Sequence, residues 1–251
     1  MLIFTSLTLL SLKVLPRLPP RLPRLPPRLL DVAAHVLSLA ESRSNQQQPP
    51  SFADVGCDHC LLLAALALNA APTTKFSNLW GVDKSKKALN GGKLLVESLK
   101  YQDNNTIDLI AGEGLDPLLS SNFNVDIVSI CGVGVPTMQS ILQQDKLDRL
   151  NTNYVILQPQ SSRRPFMESL YSHLWNLNFH PTFETMIFSN SRYYLTTTFS
   201  RSLSVSDKAP ISRPNKIGSQ FKNYTKFNDK WDTQISDQNK SRTINPLGFQ
   251  T

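Results

Sequence analysis

Cysteine is scarce in this chain: three residues in 251, at positions 57, 60 and 131. An odd, small number without repeated spacing rules out a disulfide framework and fits a reducing compartment. The single Cys-x-x-Cys, Cys57 to Cys60, lacks a second pair or a His-x3-His to complete four ligands, which argues against a zinc knuckle, so no metal is expected. No apolar run reaches the roughly 18 residues that a membrane-spanning helix needs, and no membrane partner is expected. The Gly-x-Gly-x-x-Gly fingerprint of dinucleotide-binding sheets is missing as well. Acids are absent from the first thirty residues, whereas Lys13, Arg17, Arg21, Arg24 and Arg28 are all basic.

That opening, with its Pro-Arg-Leu repeat, favours polyproline II over a continuous helix, so residues 1–28 are expected to be a leader outside the packed core. Rich in arginine and poor in acids, it looks like an organelle transit peptide; a secretory signal would put charge before its apolar run and a small-residue cleavage site after it. A transit peptide would place the protein in a mitochondrion or plastid. An untargeted basic tail, or a wrongly assigned start, would leave it in the cytoplasm. What is present elsewhere is ordinary: 40% hydrophobic residues can bury one catalytic-sized domain, and a net charge of +7 favours an anionic partner without identifying it.

From Leu29 the apolar residues Leu29, Leu30, Ala33, Val36, Leu37 and Ala40 recur at three and four, which predicts a helix. Then "FADVG" reads as a short buried strand and "CLLLAALALNAA" as an apolar helix. The unit recurs as "NLWGVD" with "SKKALNGGKLLVESLK", whose Gly91-Gly92 weakens the helix, as "TIDLIAG" with "EGLDPLL", and as "VDIVSICGVG" with "VPTMQSILQQDKL". "NYVILQPQ" is a fifth strand, followed by a helix with Phe166, Leu170, His173, Leu174 and Leu177 on one side. "TFETMIFSNSRYYLTTTFS" reads as a hairpin around Ser189-Asn190-Ser191. Alternating strands and helices predict a parallel sheet covered on both faces. Closed by an antiparallel hairpin, the expected fold is an α/β, Rossmann-like class I methyltransferase sheet over residues 29–201. Residues 202–251 are expected to be a polar linker and a short helical tail. There Ile217, Phe221, Tyr224, Phe227, Trp231 and Ile235 share one stripe, and Lys222, Lys226 and Lys230 an adjacent face. The stripe reads as a helix docked on its own domain, or as part of an RNA grip.

Ligands of an open parallel sheet bind outside the carboxyl ends of its strands. The first such turn is Asp54-Val55-Gly56-Cys57-Asp58-His59. A dinucleotide site would have glycine where Asp58 stands, and a carboxylate would repel a pyrophosphate. S-adenosylmethionine carries a sulfonium and an ammonium, which Asp54 and Asp58 attract. Asp83, ending the second strand, can accept hydrogen bonds from ribose hydroxyls. The third and fourth strand ends supply Gly112-Glu113-Gly114 and Cys131-Gly132-Val133-Gly134, small-residue turns where a backbone can lie against a ligand.

Taken in order, "RLLDVAAHVL", "FADVGCDHCLL", "LWGVDKSKKAL", "DLIAGEGLDPL", "VDIVSICGVG" and "VILQPQSSRRPFMESLY" resemble the TrmK-type tRNA adenine-N1 methyltransferases, which modify position 22 of bacterial tRNA. The resemblance covers about residues 28 to 200, and its most specific elements are Gly56-Cys57-Asp58-His59 and the Leu-Gln-Pro at 157–159. It implies S-adenosyl-L-methionine as cofactor and tRNA as partner. It also implies that Asp54, Gly56, Cys57, His59, Asp83, Gly112, Glu113, Gly114, Cys131 and Gly132 form the cofactor site, with Asp58 catalytic beside the methyl group and the incoming base.

Two positions depart from the family pattern: Val135 stands where a glycine is expected, and Gln160 where an asparagine is expected. Both lie on the presumed base-entry side. RNA grip would otherwise depend on Arg163, Arg164 and the lysines of the tail. A catalytically impaired RNA-binding member of the fold, or a small-molecule methyltransferase, therefore stands beside the tRNA methyltransferase as an alternative.

Overall fold

The computed structural model describes residues 25–43, 48–69, 76–99 and 107–201. The leader up to residue 24, and the linker and striped helix expected over 202–251, lie outside the described residues. Helix α1 (Pro27–Ser42) opens with proline at its first position, where the missing N–H would have no intrahelical acceptor. It thus starts two residues before the helical periodicity, and Leu25 just ahead of it is already buried.

Strands β1 (Phe52–Val55), β2 (Leu79–Asp83), β3 (Ile107–Ala111), β4 (Ile127–Cys131) and β5 (Tyr154–Gln158) alternate with helices α2 (Leu61–Asn69), α3 (Lys86–Leu99), α4 (Asp116–Ser120), α5 (Val135–Ile141) and α6 (Gln144–Arg149). Helix α7 (Arg164–Asn176) then leads to β6 (Phe179–Ser189) and β7 (Arg192–Arg201). The seven strands line up as β3-β2-β1-β4-β5-β7-β6. Strands β1 to β5 pair in parallel, β7 runs antiparallel to β5, and β6 antiparallel to β7. This is the expected Rossmann-like methyltransferase sheet. The order reverses between β1 and β4, which makes their carboxyl ends the ligand crevice. All four residues of β1 are buried, as a central strand covered on both faces requires. Helix α2 is apolar nearly all round because it packs between the sheet and its neighbours α1 and α3. The hairpin turns on Asn190 and Ser191, both in the left-handed region at φ 52° and 59°, the conformation that matches the twist of the flanking strands.

Three local expectations are revised. The run after β4 is two helices, not one: Leu142 and Gln143 are extended, and the Leu142 carbonyl accepts a hydrogen bond from His173 Nε2 at 2.7 Å. The break lets Leu142, Leu147 and Leu150 all face inward. On α7 the buried face is Met167, Leu170, Tyr171 and Leu174, while Phe166 is exposed. Helix α3 forms in spite of Gly91-Gly92, and the tertiary contact explains both glycines. A Cβ on Gly91 would stand 2.6 Å from His59 Nδ1, and one on Gly92 2.4 Å from Cys60 Sγ. The turn after β1 sits directly on this helix, and only a bare backbone leaves room for it.

Helix α1 is held to the hairpin by buried and half-buried polar groups. Thr185 and Thr196 donate their hydroxyls to the Asp31 carboxylate at 2.8 and 2.6 Å. His35 Nε2 lies 2.7 Å from the same Thr185 oxygen, and Nδ1 2.7 Å from that of Thr198. Burial pushes the His35 pKa down to about 4, against the opposing pull of the Asp31 charge, so the ring is neutral at pH 7.

A Gly→Ala change inside a helix ordinarily stabilises by about 1 kcal/mol. At Gly92 the overpacking against Cys60, about 1–3 kcal/mol, reverses the sign. Urea unfolding of Gly92→Ala should show a loss of stability that becomes smaller when Cys60→Ala is added; equal or higher stability of the single variant would refute the contact.

Candidate active site

The strand-end turns are tied to one another by main-chain hydrogen bonds that continue the sheet past its last residues. Gly56 and Cys57 donate to the carbonyl of Val82 at 2.7 and 3.2 Å, Gly112 donates to that of Asp83 at 3.0 Å, and Gly132 to that of Gln158 at 2.8 Å. Gly56 adopts φ 80°, a conformation favouring glycine, and the position its Cβ would take has no atom within 4 Å. Open space therefore lies over the carboxyl end of β1.

Within the next four residues the chain alternates sharply. Cys57 and Cys60 are buried with their sulfurs 3.6 Å apart, and Asp58 and His59 between them face outward at 73% and 59% side-chain exposure. Asp58 at φ 49° and Cys60 at φ 61° make the reversals that this alternation needs. The Asp83 carboxylate holds the turn: one oxygen accepts the main-chain N–H of Asp58 at 2.9 Å, the other that of Ser85 at 2.8 Å. The outward Asp58 carboxylate lies 3.8 Å from His59 Nε2.

Of the residues expected from sequence, Asp54, Gly56, Asp58, His59, Asp83, Gly112, Glu113, Gly114, Cys131 and Gly132 all stand at the carboxyl ends of β1 to β4. Cys57 stands there too, but its thiol turns into the core, 2.9 Å from where Gly81 would carry a Cβ. The hydrogen bond with the neighbouring Cys60 sulfur, and burial after it, hold that thiol far above the usual range, so it stays protonated. Glu113 is exposed, and Gly112 is required by Pro117, whose Cγ would lie 2.3 Å from an added Cβ. Val135 is buried as the first residue of α5, and Gln160, exposed, donates its main-chain N–H to the Val133 carbonyl at 2.9 Å.

Asp54 is the electrostatically unusual member. Its carboxylate is buried and accepts the Ser129 hydroxyl at 2.6 Å. Burial pushes its pKa up to about 6; the Ser129 bond and the Arg28 charge oppose that rise, and Asp83 adds to it. Arg28 belongs to the site although its sequence context groups it with the leader. Its guanidinium lies 5.9 Å from the Tyr194 ring centroid, and Nη1 lies 3.6 Å from where a Cβ on Gly132 would stand. The signal that could have found it is Pro27, which as a first helical residue brings Arg28 inside α1. Gln158 was legible only as part of a motif; its amide donates to the Arg28 carbonyl at 2.9 Å and to Thr196 Oγ1 at 2.7 Å.

Among the described residues no helix is long and apolar enough to cross a membrane. Comparisons with known proteins agree with the geometry. A protein of Mycoplasma pneumoniae, provisionally named a tRNA methyltransferase, is 29% identical over 153 residues, 60% of this chain; the chain spans 63% of that relative's length. The crystal structure of the Bacillus subtilis m1A22 tRNA methyltransferase TrmK matches with a TM-score of 0.55 at 19% identity, over 71% of this chain and 67% of that one. The Streptococcus pneumoniae protein Sp1610, provisionally a tRNA (m1A22) methyltransferase and solved with S-adenosyl-L-methionine, matches with a TM-score of 0.50 at 21% identity, over 69% and 76% of the two chains. At these identities the structural likeness is one of fold. Residues 33–196, more than half of the chain and including every strand end described above, match the family model described as a methyltransferase domain, and the chain belongs to that family.

Proposed function

We propose that this chain transfers the methyl group of S-adenosyl-L-methionine to N1 of an adenine in tRNA. The observation that carries the reading is Asp58: its main chain is clasped by Asp83 while its carboxylate is turned out over the open end of β1. The residues present fit the cofactor. Gly56 leaves room for close approach, Asp83 has lone pairs left for ribose hydroxyls, and Asp54 offers a carboxylate to an ammonium. The relatives named as tRNA methyltransferases support the substrate class.

When bound, S-adenosylmethionine supplies a methyl group on a sulfonium, the electrophile of an in-line displacement. The chain's part is to hold the base nitrogen in line and to manage charge. Attack by adenine N1 leaves a cation on the base, and loss of a proton from the exocyclic amine neutralises it. The Asp58 carboxylate stabilises that cation and accepts the proton. His59, 3.8 Å away and itself exposed, passes it to solvent. The departures at Val135 and Gln160 take no part in the Asp83 clasp, which supports an active enzyme over an impaired binding member.

Incubation with labelled cofactor and tRNA, followed by mass mapping of nucleosides, should yield 1-methyladenosine; cofactor binding without transfer would overturn the enzymatic reading. Replacing Asp58 by Asn should lower kcat about 10²- to 10⁴-fold while cofactor affinity is largely kept; equal losses in both would remove Asp58 from its role. Cofactor affinity should also follow the Asp54 proton. The carboxyl of the free protein titrates near pH 6, and an ammonium beside it favours the charged form and lowers its pKa. Binding therefore releases a proton below pH 6, and affinity rises with pH, about fivefold from pH 5 to 6, before levelling off above pH 7. Calorimetry should find this slope in the native protein and a flat profile in Asp54→Asn.

A further inference from the structure

The β6–β7 hairpin is longer than closing the sheet requires. Strand β5 ends at Gln158, whose side chain meets Thr196 of β7, and Leu157 stands opposite Thr197. Strand β7 begins at Arg192, so its first four residues, with their β6 partners up to Ser189, run on past the carboxyl end of β5. At about 3.4 Å per residue the hairpin rises on the order of 13 Å above the strand ends, on the side where ligands of a parallel sheet bind. Near its tip Phe188 and Tyr193 are directly paired, with ring centroids 4.8 Å apart. Phe188 is 52% exposed, and Asn190, Ser191 and Arg192 are exposed beside it.

A lone exposed ring is ordinary. The start of α7 brings a second one to the same height. Tyr171 of α7 bonds Thr197 at 2.9 Å and packs edge-on to Phe199, and residues 193, 195, 197 and 199 point to one face, so α7 lies on the face that Phe188 and Tyr193 share. Trp175 packs on His180 at the opposite end of β6, so the helix climbs toward the tip as it is followed back to its start. From Tyr171 to Arg164 it climbs about 10 Å, and from Thr197 to Tyr193 the strand climbs about 13 Å. Arg163, the exposed N-cap of α7, and the exposed Phe166 therefore reach the level of the hairpin tip on that face. Residues 159–167 and 185–201, which carry these side chains, contain arginines and no acid.

We propose that the hairpin tip and the start of α7 form a platform for an unpaired base of the tRNA, with Phe188 stacking on the base and Arg163 and Arg192 meeting the phosphates beside it. N1 of adenine is engaged in the Watson–Crick pair, so an adenine methylated there must be unpaired, and the strand that carries it enters the crevice open. Three strand spacings, about 14 Å, separate β7 from β1, so the platform takes a neighbouring nucleotide and leaves the target to Asp58. Every base offers a π-face and every nucleotide a phosphate, which matches an exposed ring flanked by cations and no acids. A docked protein or a second copy of the chain would use the rings without calling for the arginines.

The inference rests on RNA being the substrate, and the test separates the two. An unmodified tRNA transcript is titrated against the full chain at several salt concentrations. Phe188→Ala should weaken binding about 5- to 100-fold, with the loss in KM rather than kcat; unchanged S-adenosylmethionine affinity shows that the variant is folded. Phe188→Tyr should keep native binding, whereas Phe188→Leu, apolar but unable to stack, should not. Arg192→Gln should lower the slope of log Kd against log salt by about one. Native affinity in Phe188→Ala, or full binding by Phe188→Leu, overturns the platform, as does a change in the sedimentation of Phe188→Ala that assigns the rings to a second copy. A native protein that binds no tRNA overturns the substrate reading and the platform together.

Discussion

The close packing of the turn after β1 against α3 is the constraint on which the site depends. Cys57 and Cys60 must both go inward, because the space beneath the turn is core and their thiols fill it. Two inward residues separated by two outward ones cannot be made by extended backbone, so Gly56, Asp58 and Cys60 take left-handed conformations. Such conformations cost of order 1 kcal/mol or more each for residues with a side chain. The Asp83 clasp on the Asp58 amide and the bare surface of Gly91-Gly92 offset that cost. The outcome is an aspartate whose main chain is fixed and whose carboxylate is turned outward, beside His59.

Charge is laid out across the same strand ends. Asp54, its pKa pushed up to about 6 by burial, feels the charge of Arg28, whose guanidinium lies by Gly132 at the end of β4. Asp83 and Asp58 stand further along, over β2 and β1. Helix α1 supplies that cation because Asp31, His35 and three threonines lock it onto the hairpin. The antiparallel hairpin thus closes the sheet and also positions the first turn of α1.

Much of this was legible in the chain. Strand–helix alternation, the Asn-Ser turn of the hairpin and the placement of glycines and acids after each strand follow from periodicity and turn chemistry, which are local. Less was legible where two elements meet. Gly91-Gly92 argue against a helix by propensity and become intelligible only against His59 and Cys60. Leu142 ends a helix because His173, thirty-one residues later, takes its carbonyl. Phe166 fits an apolar stripe by spacing, yet the helix buries Met167 and Tyr171 and leaves Phe166 exposed.

By itself the sequence determined the sheet, its order of elements and the acidic turn where a dinucleotide site would want glycine, because these depend on periods of two and 3.6 and on backbone rules that act over a few residues. Tertiary structure alone decided that Cys57 faces the core, that Arg28 leaves the basic run to join the crevice, and that Asp54 titrates near 6. Burial, and the approach of charges distant along the chain, depend on where α1 and β4 come to lie, and no local pattern carries that.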